Sequence, residues 1–235
     1  SISGPGAGNF ITMARAAALL RGMLGEQRFI VGGLVQAHGT GTPQNRVTES
    51  DIINRVAAAF GVSKWPVAAI KSYIGHSLGA AAGDQLSAML GIWQTGIVPA
   101  INTIDGVADD VHTDSLEFLL RTESRSIADY AIVNSKGFGG NNASAALLSP
   151  DTTLDLLRAH HGVETLRAWA RRHDAVQSRR AAIEAERLRG EWQPSYHFDA
   201  GVLSADDISV SSTELRLGDT RVCLEADVPQ GWALS

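Results

Sequence analysis

Cysteine is nearly absent: Cys223 alone stands in 235 residues. That excludes an internal disulfide and any Cys-rich metal site, and it fits a reducing, cytoplasmic setting. Basic residues are short as well, 20 Lys and Arg against 25 Asp and Glu, so no chain-wide positive field draws nucleic acid. No apolar run reaches the ~20 residues a membrane helix needs, and no basic-then-apolar signal opens the chain. Neither nucleic acid nor membrane is an expected partner, and Asn142-Ala143-Ser144 reads as a chance sequon. Trp65, Trp93, Trp169, Trp192 and Trp232 have no basic run between them and read as packing rather than a base-stacking platform. His112, His160, His161, His173 and His197 show no metal-ligand spacing, so no metal is expected.

What the chain does have is glycine beside reactive side chains. His38 lies in Gln36-Ala37-His38-Gly39-Thr40-Gly41-Thr42, and Lys71 and His76 lie in Lys71-Ser72-Tyr73-Ile74-Gly75-His76-Ser77. Glycine alone adopts positive φ cheaply and lets a backbone approach a substrate, so both runs read as site loops. Gly4-Pro5-Gly6-Ala7-Gly8 has no strand before it and reads as a helix entry, not a phosphate loop.

Up to about residue 150 the patterning alternates. Helices are expected near 10–25, 48–60 (opening at Thr48 or Ser50) and 79–95, and strands near 30–37, 66–73, 116–120, 130–135 and 143–149. Such alternation predicts an α/β domain with a largely parallel sheet. Beyond Pro150 a basic helical stretch, 151–190, precedes an acidic, β-rich tail, 191–235, with strands expected at 195–203, 208–217 and 220–228. Gly218-Asp219 suits a two-residue hairpin turn that puts Leu215, Leu217, Val222 and Leu224 on one face. The tail reads as a solvated, self-complementary appendage.

Gly75-His76-Ser77-Leu78-Gly79 matches the Gly-x-Ser-x-Gly nucleophile elbow between a strand and a helix, which opens a serine hydrolase reading through Ser77. That reading leaves Lys71 and Gly137-Phe138-Gly139-Gly140 without a task, and no later histidine stands in a recognisable strand-end loop.

Taken together, the runs at 36–42, 71–76 and 136–142 resemble the second half of a β-ketoacyl-acyl carrier protein synthase, a condensing enzyme of the thiolase-like fold. His38-Gly39-Thr40-Gly41-Thr42 resembles the first-histidine motif and Lys71 through His76-Ser77 the lysine and second-histidine motif. Gly137-Phe138-Gly139-Gly140-Asn141-Asn142 resembles the closing glycine loop. The resemblance covers roughly residues 1–149 and leaves the tail outside. It implies a mixed sheet with flanking helices, and a decarboxylative Claisen condensation of malonyl-acyl carrier protein with an acyl or acetyl thioester. Fatty acid synthesis is favoured over a polyketide module. In that chemistry His38 and His76 would donate to the enolate oxygen, Lys71 would add a cation, and Glu49 would balance Lys71. Thr40 and Thr42 would bind a phosphopantetheine amide. Phe138 would line the acyl pocket, with its backbone N–H and neighbouring Gly139 at the oxyanion loop. The resemblance implies no bound cofactor, phosphopantetheine arriving on acyl carrier protein or coenzyme A, and it implies acyl carrier protein and a second copy as partners.

Two departures stand out. The family's nucleophile is a cysteine in its first half, and Cys223, in the acidic tail, cannot replace it. The chain is therefore expected to be the C-terminal part of a longer polypeptide, supplying a half-site to a missing N-terminal half. Where the family runs Thr-x-Leu-Gly-Asp-Pro-x-Glu, this chain has Thr42-Pro43-Gln44-Asn45-Arg46-Val47-Thr48-Glu49, with Arg46 in place of an acid. A non-catalytic partner subunit of the same fold stays open beside the enzyme.

Overall fold

The computed structural model describes residues 6–127, 129–193 and 195–224. In chain order the elements of the first part are α1 (Ala7–Leu24), α2 (Glu26–Val31), β1 (Gly33–Gln36), α3 (Pro43–Ala59), β2 (Trp65–Ala68), α4 (Lys71–Ile74), α5 (Ala81–Thr95), β3 (Ile97–Val98), β4 (Leu116–Phe118), β5 (Glu123–Ser124), β6 (Tyr130–Lys136) and β7 (Asn142–Leu148). They are followed by α6 (Pro150–His161), α7 (Val163–Leu188), β8 (Ile208–Val210), β9 (Glu214–Leu217) and β10 (Thr220–Cys223). The chain divides within α7 into two compact units, Ser1–Trp169 and Ala170–Ser235.

The first unit is built on a five-stranded sheet in the order β4-β2-β1-β6-β7. β1 pairs in parallel with β2 and β6, β2 with β4, and only β7 runs antiparallel, against β6. Both faces are covered, as a mostly parallel sheet requires. Successive residues of a strand point to opposite faces, and the core divides accordingly. Val35, Tyr130 and Ile132 pack with Met13, Leu20, Ile52 and Ile53 of α1 and α3, while Leu34 and Ala131 pack with Met89 and Ile92 of α5. Tyr130 stacks on Phe29 with ring centroids 5.0 Å apart and donates its hydroxyl to the Phe29 carbonyl at 2.8 Å. Position 33 must be glycine, since a Cβ there would lie 2.0 Å from the Tyr130 ring.

Several element boundaries differ from expectation. α3 opens at Pro43, not near 48, because extended Thr42 leads into a proline whose fixed φ suits the first helical position. The strand expected over 30–37 starts at Gly33, since Glu26–Val31 is helical, and the strand expected over 66–73 stops at Ala68 before Lys71–Ile74 coils into α4. The helix expected to run to 190 is divided at Gly162, whose backbone (φ 81°, ψ 161°) is not helical. Gly6 and Ala7 do lead into α1, while Gly4 and Pro5 of that run lie outside the described residues.

In the second unit β10, β9 and β8 form an antiparallel sheet. The Gly218-Asp219 hairpin is present, with Thr220 opposite Leu217 and Val222 opposite Leu215, which puts Leu215, Leu217 and Val222 on one face. The segment expected as one strand over 208–217 is two strands, because residues 211–213 turn the chain back. The described residues of 195–203 form no strand, and 225–228 and Trp232 lie outside the described residues. No described helix is long and apolar enough to cross a membrane.

Candidate active site

Three motifs separated by dozens of residues meet because β2, β1 and β6 are parallel neighbours, so their C-terminal ends open on one edge of the sheet. His38 follows β1, Lys71 and His76 follow β2, and Lys136-Gly137 closes β6. The crevice beyond the carboxyl ends of parallel strands is where α/β sheets place ligands.

His38 is 5% exposed. Its backbone N–H donates to Glu49 Oε1 at 2.7 Å and that of Gly39 to Oε2 at 3.0 Å. Asn134 Nδ2 donates to Oε1 at 2.6 Å and Asn45 Nδ2 to Oε2 at 3.0 Å, so four donors saturate this buried carboxylate. Gly39 has φ 58°, and a Cβ on it would lie 2.8 Å from Ala69 Cβ, so this turn needs glycine twice over. Gln85, fully buried on α5, ties the strand ends together: its Nε2 donates to the carbonyls of Gln36, Ala37 and Asn134 at 3.0, 2.7 and 3.0 Å.

The imidazole of His38 accepts at Nδ1 from the backbone N–H of Lys136, at 3.2 Å. An accepting Nδ1 in a neutral ring leaves the proton on Nε2. His76 reaches the same tautomer locally, its Nδ1 accepting from the Leu78 N–H at 3.0 Å. The ring centroids are 5.2 Å apart and edge to face. Each ring thus keeps one N–H for another partner. Burial, with the nearby charge of Lys71, pushes His38 down from 6.5 to about 4; Glu49 opposes the shift, while His76 and Lys136 add to it. His38 is neutral at pH 7.

Lys71 opens α4, and its Nζ is buried without a hydrogen-bond partner. Burial lowers its pKa, and the negative charges of Glu49 and Asp84 oppose that. The Glu49 oxygens are bound to His38, Gly39, Asn134 and Asn45, so its charge reaches Lys71 only through space. Thr40 and Thr42 have hydroxyls 3.5 Å apart on the loop between β1 and α3. Gly139, φ 78°, sits in the turn Phe138–Gly140 between β6 and β7; the acyl-pocket expectation for Phe138 concerns a side chain outside what is described.

Asn45, Gln85, Asn134 and Lys136 carry the site's framework and were not singled out from sequence. A signal existed in Asn134-Ser135-Lys136, three polar residues closing an otherwise apolar strand before Gly137. Arg46, the departure from the family pattern, forms a two-pronged pair with Asp110 (2.9 and 2.8 Å), so it finds its acid elsewhere on the surface. Ser77 donates its hydroxyl to Asp84, and no imidazole bonds it among the described residues. Its backbone (φ −76°, ψ 14°) is ordinary, the positive φ falling on Leu78. The strained serine and paired base of a nucleophile elbow are not assembled here.

The family described as "Beta-ketoacyl synthase, C-terminal domain" matches residues 30–105. The chain is 41% identical over 216 residues to the β-ketoacyl-[acyl-carrier-protein] synthase FabY of Pseudomonas aeruginosa, covering 92% of this chain and 34% of that protein. It is 34% identical over 145 residues to 3-oxoacyl-[acyl-carrier-protein] synthase 2 of Vibrio cholerae, covering 61% of this chain and 33% of that protein. The crystal structure of FabY superposes with a TM-score of 0.80 at 39% identity, over 97% of this chain and 36% of FabY. The chain thus spans about a third of the length of these relatives. A match over 92% of the chain extends well past residue 149, so the tail, expected to lie outside the resemblance, is shared with FabY. The chain belongs to the β-ketoacyl synthase family and carries its C-terminal domain, the second half of a thiolase-like fold.

Proposed function

We propose that this chain supplies the decarboxylating half-site of a β-ketoacyl-acyl carrier protein synthase in fatty acid biosynthesis, and that the nucleophilic cysteine comes from sequence outside it. The observation that carries this reading is the pair of imidazoles whose Nδ1 atoms each accept a backbone N–H, leaving two Nε2–H donors on rings 5.2 Å apart. When the bond between C2 of a malonyl thioester and its carboxylate breaks, carbon dioxide leaves and the electron pair becomes an enolate. Its oxygen gains negative charge, and two fixed N–H donors would stabilise that charge by about 3–4 kcal/mol each once bound substrate excludes water. Enolate C2 then attacks the thioester carbonyl of the acyl-cysteine, and the thiolate leaves. A neutral His38 with its proton on Nε2 can donate to the enolate oxygen while its Nδ1 accepts the Lys136 N–H, and its lowered pKa supports that state. Lys71, a buried cation without an acceptor, suits a substrate that brings a carboxylate.

Acyl carrier protein is the proposed macromolecular partner, its phosphopantetheine the only cofactor and Thr40 and Thr42 the contacts for its amide. A homodimer of the full-length protein is also proposed, which light scattering tests. Replacing His38 or His76 by Ala in the full-length protein should lower malonyl-acyl carrier protein decarboxylation roughly 10²–10³-fold. Wild-type rates in both variants would sink the reading. Ser77→Ala should leave activity within a few-fold, and its abolition would revive the hydrolase. A non-catalytic partner subunit is favoured instead if the full-length protein has no cysteine at the family's nucleophile position.

A further inference from the structure

Lys136 is polar and half-buried at the end of β6, and it opens the 136–142 run without a role assigned to it there. Its Nζ donates to Asn45 Oδ1 at 2.8 Å and to Thr48 Oγ1 at 3.4 Å, both on the first turns of α3. Asn45 turns its other amide atom, Nδ2, to Glu49 Oε2 at 3.0 Å, and Glu49 holds the backbone N–H groups of His38 and Gly39. The backbone N–H of Lys136 itself holds His38 Nδ1. The result is a closed ring of hydrogen bonds that begins and ends at Lys136 and encloses His38. A cation on Asn45 Oδ1 also decides which way that amide faces, since an amide flipped the other way would present NH₂ to an ammonium and oxygen to a carboxylate.

We propose that Lys136 is a positioning residue for His38: its side chain clamps the start of α3 to the end of β6, which keeps the ring's acceptor nitrogen occupied and its Nε2 proton available to the substrate. The inference rests on the half-site reading above and deepens it. By analogy with groups that hold the far nitrogen of a metal-ligating histidine, whose removal typically costs about 10–100-fold in affinity or activity, an effect of that order is expected at His38. The side chain has a second effect. The groups facing His38 are the charged Lys71, Glu49 and Lys136 and the imidazole of His76. Two ammonium groups stand against one carboxylate there, and both disfavour a protonated His38. Without the Lys136 charge, His38 takes up its proton at higher pH.

The test uses the full-length enzyme with Lys136→Met, which keeps the length of the side chain without charge or donor, and Lys136→Arg, which keeps both. Malonyl-acyl carrier protein decarboxylation is followed against pH, and His38 is titrated directly by NMR with ¹³Cε1-labelled histidine, its signal assigned with His38→Ala. Lys136→Met is expected to lower decarboxylation at least about tenfold and to move both the acid limb and the His38 titration to higher pH. Lys136→Arg is expected to restore the wild-type titration. A purely structural lysine would lower the unfolding midpoint and leave the titration where it was, and that result overturns the proposal. Should Lys136→Met not fold, Lys136→Gln, which retains a donor for Asn45 without charge, carries the same two readouts. If His38→Ala keeps decarboxylating, the half-site reading falls while the NMR titration still decides the link between Lys136 and His38. If His38→Ala is inactive and the Lys136→Met titration is unmoved, only the present inference falls.

Discussion

The ring of His38 is held by residues far along the chain, and that of His76 by residues beside it. His38 takes its hydrogen bond from Lys136, 98 positions later, and its backbone bonds Glu49 on the next helix. His76 takes its bond from Leu78, two positions later, and lies exposed on the loop between α4 and α5. Both end as Nε2–H tautomers. One donor is set by the packing of three strands and a helix, whereas the other is set by local backbone, Gly75 at φ 74° and Leu78 at φ 58°. A change in the core network should therefore disable His38, and only changes in its own loop should disturb His76.

That contrast can be broken most forcefully at Glu49. Glu49→Leu would strand four donors, the buried His38 N–H and Asn134 Nδ2 and the part-buried Gly39 N–H and Asn45 Nδ2, and should cost roughly 3 kcal/mol or more in unfolding free energy, since each unsatisfied buried donor costs about 1–3 kcal/mol; urea unfolding measures it. Gly39→Ala comes next. It combines a positive φ with a 2.8 Å approach to Ala69 Cβ, and about 2 kcal/mol of lost stability is expected, with decarboxylation falling in step as the His38 loop shifts.

His38 is lowered from 6.5 to about 4, so the folded state favours the neutral ring. The stability it contributes is present above pH 6.5 and is lost as the pH falls toward about 4, where the ring protonates in the folded protein too. Decarboxylation should accordingly persist below pH 6.5 and fail near pH 4, and a limb centred near 6.5 would mean that another group governs it. Leu78→Gly should do least. It preserves the N–H that His76 uses and relieves a left-handed leucine, so stability should stay level or rise by up to about 1 kcal/mol in thermal unfolding.

The reactive residues were readable because glycine flanks them and because their types suit one chemistry. Strand existence was readable too, from short apolar runs such as Ala131-Ile132-Val133. Boundaries were less so. Thr48 and Ser50 look like helix openers, yet both bond carbonyls one turn back inside α3, Thr48 Oγ1 to Gln44 at 2.9 Å and Ser50 Oγ to Arg46 at 2.6 Å, because Pro43 had already started the helix. Residue type alone makes Glu49 a counter-charge for Lys71. Only the packing of α3 against β1 and β6 shows that its oxygens are taken by Asn45, Asn134 and two backbone amides.

Local chemistry along the chain determined which residues could donate, accept or carry charge, where the backbone needed glycine, and that strands alternate with helices. Those properties depend on each side chain and its nearest neighbours. The tautomer of His38, its low pKa, the unpartnered Lys71 ammonium and the ring through Lys136 come from tertiary packing, whereas the His76 tautomer comes from its own loop. Each is a matter of which group sits within about 3 Å of another and how much water is kept away. Parallel pairing of β2, β1 and β6 brings those groups to a single edge of the sheet.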